Sequence, residues 1–150
     1  MLPISLTWLA RMHRFVPEER FMRLALEEAQ DAFDEGEVPI GAVIVCQGQV
    51  IARAHNQVER LHDPTAHAEI LAITAATDYL GGKFLSDCQL YVTIEPCVMC
   101  AGALFHARLG AIIYGAGGEI WLSALCSRAL PSQNPHRWRS IRRRSDAADA

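Results

Sequence analysis

The spacing of apolar and polar positions divides the chain into short segments with different periods. After Pro17, the residues Phe21, Leu24, Ala25, Ala29, Ala32 and Phe33 recur at helical intervals, and Gly36 stands where such a helix would stop. Ile40 to Cys46 is an apolar run that reads as a buried strand. Gln47-Gly48-Gln49 predicts a tight turn, and Val50 to Ala54 returns as the second strand of a hairpin. A polar loop is expected from His55 to Pro64. A helix follows over Ala66 to Tyr79, with Ile70, Leu71, Ile73 and Thr74 on its apolar side and Gly81-Gly82 at its end. Cys88 to Ile94, rich in β-formers, predicts a third strand. Pro96 is barred from a strand interior but favoured in a helix's first turn, so a helix is expected from there to about Ala107. Ala111 to Tyr114 reads as a short fourth strand. Beyond it, Gly115 to Gly118 is a breaker cluster, Ile120 to Leu130 has a helical pattern, Pro131 to Pro135 is turn-like, and no periodicity follows Arg137.

Strands separated by helices of this length predict an α/β domain with three layers, a sheet between helices on both faces. The opening hairpin makes that sheet mixed rather than purely parallel. The 150 residues are enough for one domain with one core. Residues 17–116 form the predicted domain, with 1–16 as an N-terminal extension and 117–150 as a separate basic segment.

Composition narrows the class. Hydrophobic residues make up 51% and charged residues 21%, the balance of a soluble globular protein. No apolar run approaches the ~20 residues needed to cross a bilayer. The net charge of −3 hides an asymmetry. Residues 1–118 hold 8 basic against 14 acidic side chains, and residues 119–150 hold 6 arginines against 3 acids. The basic end is suited to phosphate contacts, or is simply a solvated tail. The cysteine count is odd, at five, and residues 1–10 show neither a leading positive charge nor a small-residue cleavage site. A reducing, cytoplasmic compartment is therefore expected, not a disulfide framework.

The chemistry concentrates in two short motifs about 30 residues apart. His67-Ala68-Glu69 opens one predicted helix, and Pro96-Cys97-Val98-Met99-Cys100 opens the next. Cysteines three apart share a helix face, so two sulfurs can hold one metal ion. A helix N-terminus favours the thiolate form that binds metal. His67 supplies a third, neutral ligand, and three protein ligands leave one tetrahedral position open, the pattern of a catalytic zinc site. Glu69, two residues beyond the histidine, is placed to move a proton without binding the metal. Two blander readings stand beside this one. Cys97 and Cys100 are also spaced as a redox dithiol, which would not need His67 or Glu69. A purely structural zinc site would need a fourth ligand, for which Cys88 and His106 are the alternatives. His13, His55, His62, His106 and His136 otherwise read as surface or packing residues, and Cys46 as core.

These motifs match, in residue type and spacing, the H-x-E…P-C-x-x-C signature of the cytidine-deaminase-like zinc deaminases, which they resemble. The match extends to Gly36-Glu-Val-Pro-Ile-Gly-Ala-Val43, Asn56, His62-Asp-Pro-Thr-Ala-His-Ala-Glu-Ile70, Thr93-Ile-Glu-Pro-Cys-Val-Met-Cys-Ala-Gly-Ala103 and His106-Ala-Arg108. Over roughly residues 18–116 the chain resembles the bacterial transfer-RNA adenosine deaminase family. The resemblance implies a cytidine deaminase-like fold, with a five-stranded sheet between helices, acting as a homodimer. It implies one Zn2+ per subunit on His67, Cys97 and Cys100, with Glu69 activating the water and later protonating the departing ammonia. The substrate it implies is a wobble adenosine flipped out of a tRNA anticodon stem-loop and converted to inosine. Asn56 and the backbone N–H of Ala68 would hydrogen-bond that base, and Ile40 would pack near its ring.

The chain departs from the family after Ala116. An Asp, a Lys and a Gly-Ala pair are expected there, and Gly117-Gly-Glu-Ile-Trp121 stands in their place. The missing Asp belongs to a stretch that contacts the nucleotide before the target. Asn134-Pro-His136 is a weak return of an Asn-His motif, and Arg142-Arg-Arg144 replaces the basic C-terminal helix. This difference keeps two other functions in view: deamination of free guanine, cytosine, adenine or their nucleosides, and a non-catalytic zinc-binding subunit.

Overall fold

The computed structural model describes residues 16–116 and the backbone of residues 138–140. Helix α1 (Glu19–Asp34) buries Phe21, Met22, Ala25, Ala29 and Ala32 along one stripe. Leu24 is only half-buried, and Phe33, on the predicted face, is exposed. The hairpin forms from β1 (Gly41–Cys46) and β2 (Gln49–His55). Its turn places Gln47 at φ 52° and Gly48 at φ 77°, the left-handed pair that lets a two-residue loop match strand twist.

The expected loop after β2 is more ordered than its polarity implied. Val58–Leu61 forms one helical turn, α2, ending on His62 in the left-handed region. Helix α3 (Ala68–Leu80) follows, then β3 (Cys88–Ile94), α4 (Val98–His106), β4 (Ala111–Ala116) and β5 (Trp138–Ser140). Two corrections concern ends. β4 runs on through Gly115, because Glu95 N–H donates to the Ala116 carbonyl and extends the pairing. A strand also forms after Arg137, where periodicity gave no sign of one. Three residues are too few to show a period, and β5 exists through its parallel pairing with β4. The patterns read over Ile120 to Leu130 and Pro131 to Pro135, and the extension 1–16 save Val16, lie outside the described residues.

The sheet order is β2-β1-β3-β4-β5, antiparallel from β2 to β3 and parallel from β3 to β5. It is the expected mixed five-stranded sheet. Alternation along each strand feeds two cores. Val43, Val45, Tyr91 and Ile113 point to α1 and pack with Phe21, Met22 and Ala25. Ala42, Ile44, Ala52, Ala54, Leu90, Val92 and Ile112 point the other way, onto α3 and α4.

Helix α3 meets the sheet through small residues, which corrects the predicted face. Ala68, Ala72 and Ala76 are fully buried, Ile70, Leu71 and Ile73 are half-buried, and Thr74 is exposed. Alanines at four-residue spacing bring the helix axis close to the sheet and leave the larger side chains at the flanks. A second close approach is fixed at Gly41. A Cβ there would lie 2.0 Å from the Ala25 carbonyl oxygen and 2.5 Å from the Ala29 nitrogen, so α1 crosses β1 where no side chain stands.

Candidate active site

Two helix N-termini on one face of the sheet define the site. His67 is the N-cap of α3 and Cys97 the N-cap of α4, each with extended backbone, at φ −73° and −69°. Their carbonyls accept the first helical bonds, from Leu71 and Ala101. Pro96 therefore precedes the cap instead of occupying the first helical turn. Val98 takes that place, because the extended Cys97 is needed to turn the chain out of β3.

The side chains converge. His67 Nδ1 lies 3.6 Å from Cys97 Sγ and 3.4 Å from Cys100 Sγ. All three donor atoms fall within 4.8 Å of one another. Zinc bonds of about 2.3 Å to sulfur and 2.0–2.1 Å to nitrogen, at tetrahedral angles, place N and S about 3.5 Å apart. The observed separations and the His/Cys/Cys donor set therefore fit a zinc ion. Cys88 does not join the group. It stands directly across the β1–β3 ladder from Cys46, and burial with the Cys46 thiol beside it pushes its own thiol up to about 12. Cys46 itself is half-buried at the strand end. His106 ends α4, exposed, with its ring 6.1 Å from Phe105. Among the described residues, no fourth His, Cys, Asp or Glu completes the set.

Glu69 is 3% exposed, in the first turn of α3. Burial raises its carboxyl above the ordinary range, against the backbone hydrogen bond, the Cys100 thiol and the His67 charge that favour the anion. Cys100, fully buried, is driven further up by burial and by the nearby Glu69 and Cys97.

The predicted substrate residues are tied to the His67 corner through the backbone. Asn56 is 4% exposed, and its N–H donates to the Ile40 carbonyl at 3.1 Å. Gln57 N–H donates to the Ala66 carbonyl at 3.0 Å, one residue before His67. Ala68 is fully buried at the first helical position of α3. Ile40 is half-buried against the core that α3 covers. Backbone hydrogen bonds thus join Ile40, Asn56 and the His67-Ala68 corner into one continuous strip.

Sequence reasoning missed what supports this strip. Glu37, 6% exposed, accepts the N–H groups of Arg60 at 2.8 Å and Glu59 at 3.1 Å, so its carboxylate caps α2. Asp63 Oδ1 accepts from the Thr65 N–H and hydroxyl at 2.8 and 2.7 Å and shapes the approach to His67. A carboxylate 22 and 23 residues from its two partners has no local signature. The Asp-x-Thr spacing of Asp63 and Thr65 is the one local signal that could have been read.

The family profile for the cytidine and deoxycytidylate deaminase zinc-binding region matches residues 16–116. A tRNA-specific adenosine deaminase of Aquifex aeolicus is 54% identical over 99 residues, and the match covers 66% of this chain and 66% of that protein, just under two thirds of its length. A solved structure from studies of A-to-I editing by tRNA:A34 deaminases is 42% identical with a TM-score of 0.74, covering 81% of this chain and 97% of that one. The structure of a Bacillus subtilis guanine deaminase is also 42% identical, with a TM-score of 0.66, covering 73% and 70%. The chain belongs to the cytidine and deoxycytidylate deaminase zinc-binding family.

Proposed function

We propose that residues 17–116 catalyse the zinc-dependent hydrolytic deamination of adenosine to inosine at the wobble position of tRNA. The observation that carries the chemistry is the convergence of His67, Cys97 and Cys100 beside a buried Glu69. His67, Cys97 and Cys100 would hold a zinc ion, which would supply a nucleophile from water at neutral pH by lowering that water's pKa from about 16 towards 7. Glu69 would accept a proton from the attacking water and return it to the departing ammonia. Burial raises its affinity for protons, which suits a group that both accepts a proton and gives it back. Asn56 and the Ala68 N–H read the base edge, and Ile40 lies against its face. Water and adenosine give inosine and ammonia, so no redox partner is needed.

The substrate reading rests on likeness to the Aquifex and A34-deaminase proteins. A second reading, deamination of a free base, is favoured by the likeness to the guanine deaminase. We take the working form to be a cytoplasmic homodimer with one zinc per subunit. Half-buried Ile70, Leu71 and Ile73 on α3, with exposed Val98 and Phe105 on α4, leave apolar surface suited to a second copy. No described helix is long and apolar enough to cross a membrane.

The test is an inosine assay with zinc-loaded protein on a wobble-adenosine anticodon stem-loop, run beside free adenine, guanine and cytosine. Inosine in the stem-loop, abolished by Glu69→Gln with zinc still bound, is the expected result. Turnover of a free base alone would replace the proposal with the second reading. Full activity in Glu69→Gln would remove the catalytic account.

A further inference from the structure

A second polar cluster lies on the sheet face opposite α3. Ala52 and Ala54 of β2 point into the core under α3, so Arg53 and His55 point to the α1 side. Glu28, on α1, accepts from Arg53 Nε at 2.7 Å through one oxygen and faces His55 Nδ1 at 3.0 Å with the other. Glu35, just past α1, faces His55 Nε2 at 2.9 Å. Arg53 also reaches Glu27 at 3.1 Å, and Arg60 of α2 stands 3.8 Å from Glu35. Glu37 is engaged with the α2 backbone, and Asp34 of α1 with Gln30. Gly41, opposite His55 on β1, brings no charge.

Both ring nitrogens of His55 therefore face carboxylate oxygens. Ionised carboxylates only accept hydrogen bonds, and a neutral imidazole has a single N–H. The neutral ring would satisfy one carboxylate and set a lone pair against the other. The imidazolium donates to both. Burial opposes the charge, but the hydrogen bonds and fields of Glu28 and Glu35 outweigh it, and the proton is held to a higher pH than on an unperturbed histidine.

His55 immediately precedes Asn56. We propose that the His55 imidazolium is a positioning residue for Asn56: by tying the end of β2 to Glu28 and Glu35, it holds Asn56 at the base, and base binding weakens when the ring loses its proton. This rests on the reading of Asn56 as a base contact. The tie is complete below the folded-state pKa of His55 and loses one of its two charge-assisted bonds as pH rises through it. The same ionisation leaves the zinc ligands and Glu69 untouched, so the effect falls on KM and not on kcat.

The test uses the zinc-loaded full chain and the wobble-adenosine stem-loop from about pH 6 to about pH 9, a range that brackets histidine titration. Wild-type KM should rise about three- to tenfold across the His55 titration, the size expected for one weakened hydrogen bond. His55→Gln should start with the raised KM and show no such step, and Glu35→Gln should move the step to lower pH. In parallel, NMR should show the Asn56 amide shifting along with the His55 ring titration in wild-type protein. A pH step in KM that survives His55→Gln overturns the proposal, as does an Asn56 amide indifferent to the titration. If no adenosine substrate is turned over, the proposed function fails, and the NMR titration decides the role of His55 by itself.

Discussion

The N–H of Asn56 donates to the carbonyl of Ile40 at 3.1 Å, joining the first residue after β2 to the last residue before β1. The two residues flank the open end of one hairpin, so strand pairing itself sets their spacing. A base lying against Ile40 would thereby have its edge within reach of the Asn56 amide. Asn56→Ala should lower kcat/KM for the stem-loop by about 10- to 100-fold, the range for losing a paired amide contact to a base. Zinc content should not change. Steady-state kinetics with metal analysis checks this, and an unaltered kcat/KM would remove Asn56 from the substrate site.

Metal removal should act on both chemistry and stability. Chelation should reduce deamination by about a thousandfold or more, and added zinc should restore it. Zinc bound to the folded state alone stabilises by mass action, about 2.7 kcal/mol when free metal is 100-fold above its Kd. The Tm should therefore climb with zinc concentration in wild-type protein and stay flat in Cys100→Ala. Calorimetry at graded zinc checks the prediction, and equal zinc dependence in the variant would contradict the ligand assignment.

Glu37 should prove structural in mechanism but local in effect. Replacing it with Ala leaves the N–H groups of Glu59 and Arg60 without their acceptor, at a cost of about 1–3 kcal/mol. Hydrogen exchange should accelerate at these two amides and across 57–66, the stretch between Asn56 and His67, while β3 and β4 keep their protection. Uniform protection throughout would show that α2 does not depend on its carboxylate.

Gly41→Ala should be among the most damaging single substitutions. The added methyl would sit inside the contact distance of the Ala25 carbonyl and the Ala29 nitrogen, both backbone atoms that cannot rotate away. Overpacking typically costs 1–3 kcal/mol where side chains can adjust, so a loss of about 3 kcal/mol or more is expected here. Chemical denaturation measures it. A loss under about 1 kcal/mol would mean that α1 shifts freely across β1.

The legible part of the protein was the part written in neighbouring residues. Helix α1, the hairpin, β3 and the order of elements followed from periods within each segment. His67, Glu69, Cys97 and Cys100 stood out as candidates because each motif lies within five residues and opens a helix, where backbone geometry fixes the direction of its side chains. The face of α3 was misread, since size and hydrophobicity pointed to Ile70, Leu71 and Ile73. Close packing against a sheet selected Ala68, Ala72 and Ala76 instead. α2 and β5 were missed for a related reason. One is a four-residue turn whose Glu37 cap comes from far along the chain, and the other is a strand only through its pairing with β4.

By itself, then, the sequence carried the order of the longer elements, the α/β class and a candidate metal group of His67, Cys97 and Cys100. Each of these depends on interactions a few residues long. Only the tertiary structure decided that His67 Nδ1 stands within 3.6 Å of both sulfurs, that Cys88 faces Cys46 and not the metal group, and that His55 is shared between two carboxylates. Those relationships depend on the register of β1 against β3 and on where α1 crosses the sheet. Register and crossing are set by close packing and hydrogen bonding between segments distant along the chain, and no local period encodes them.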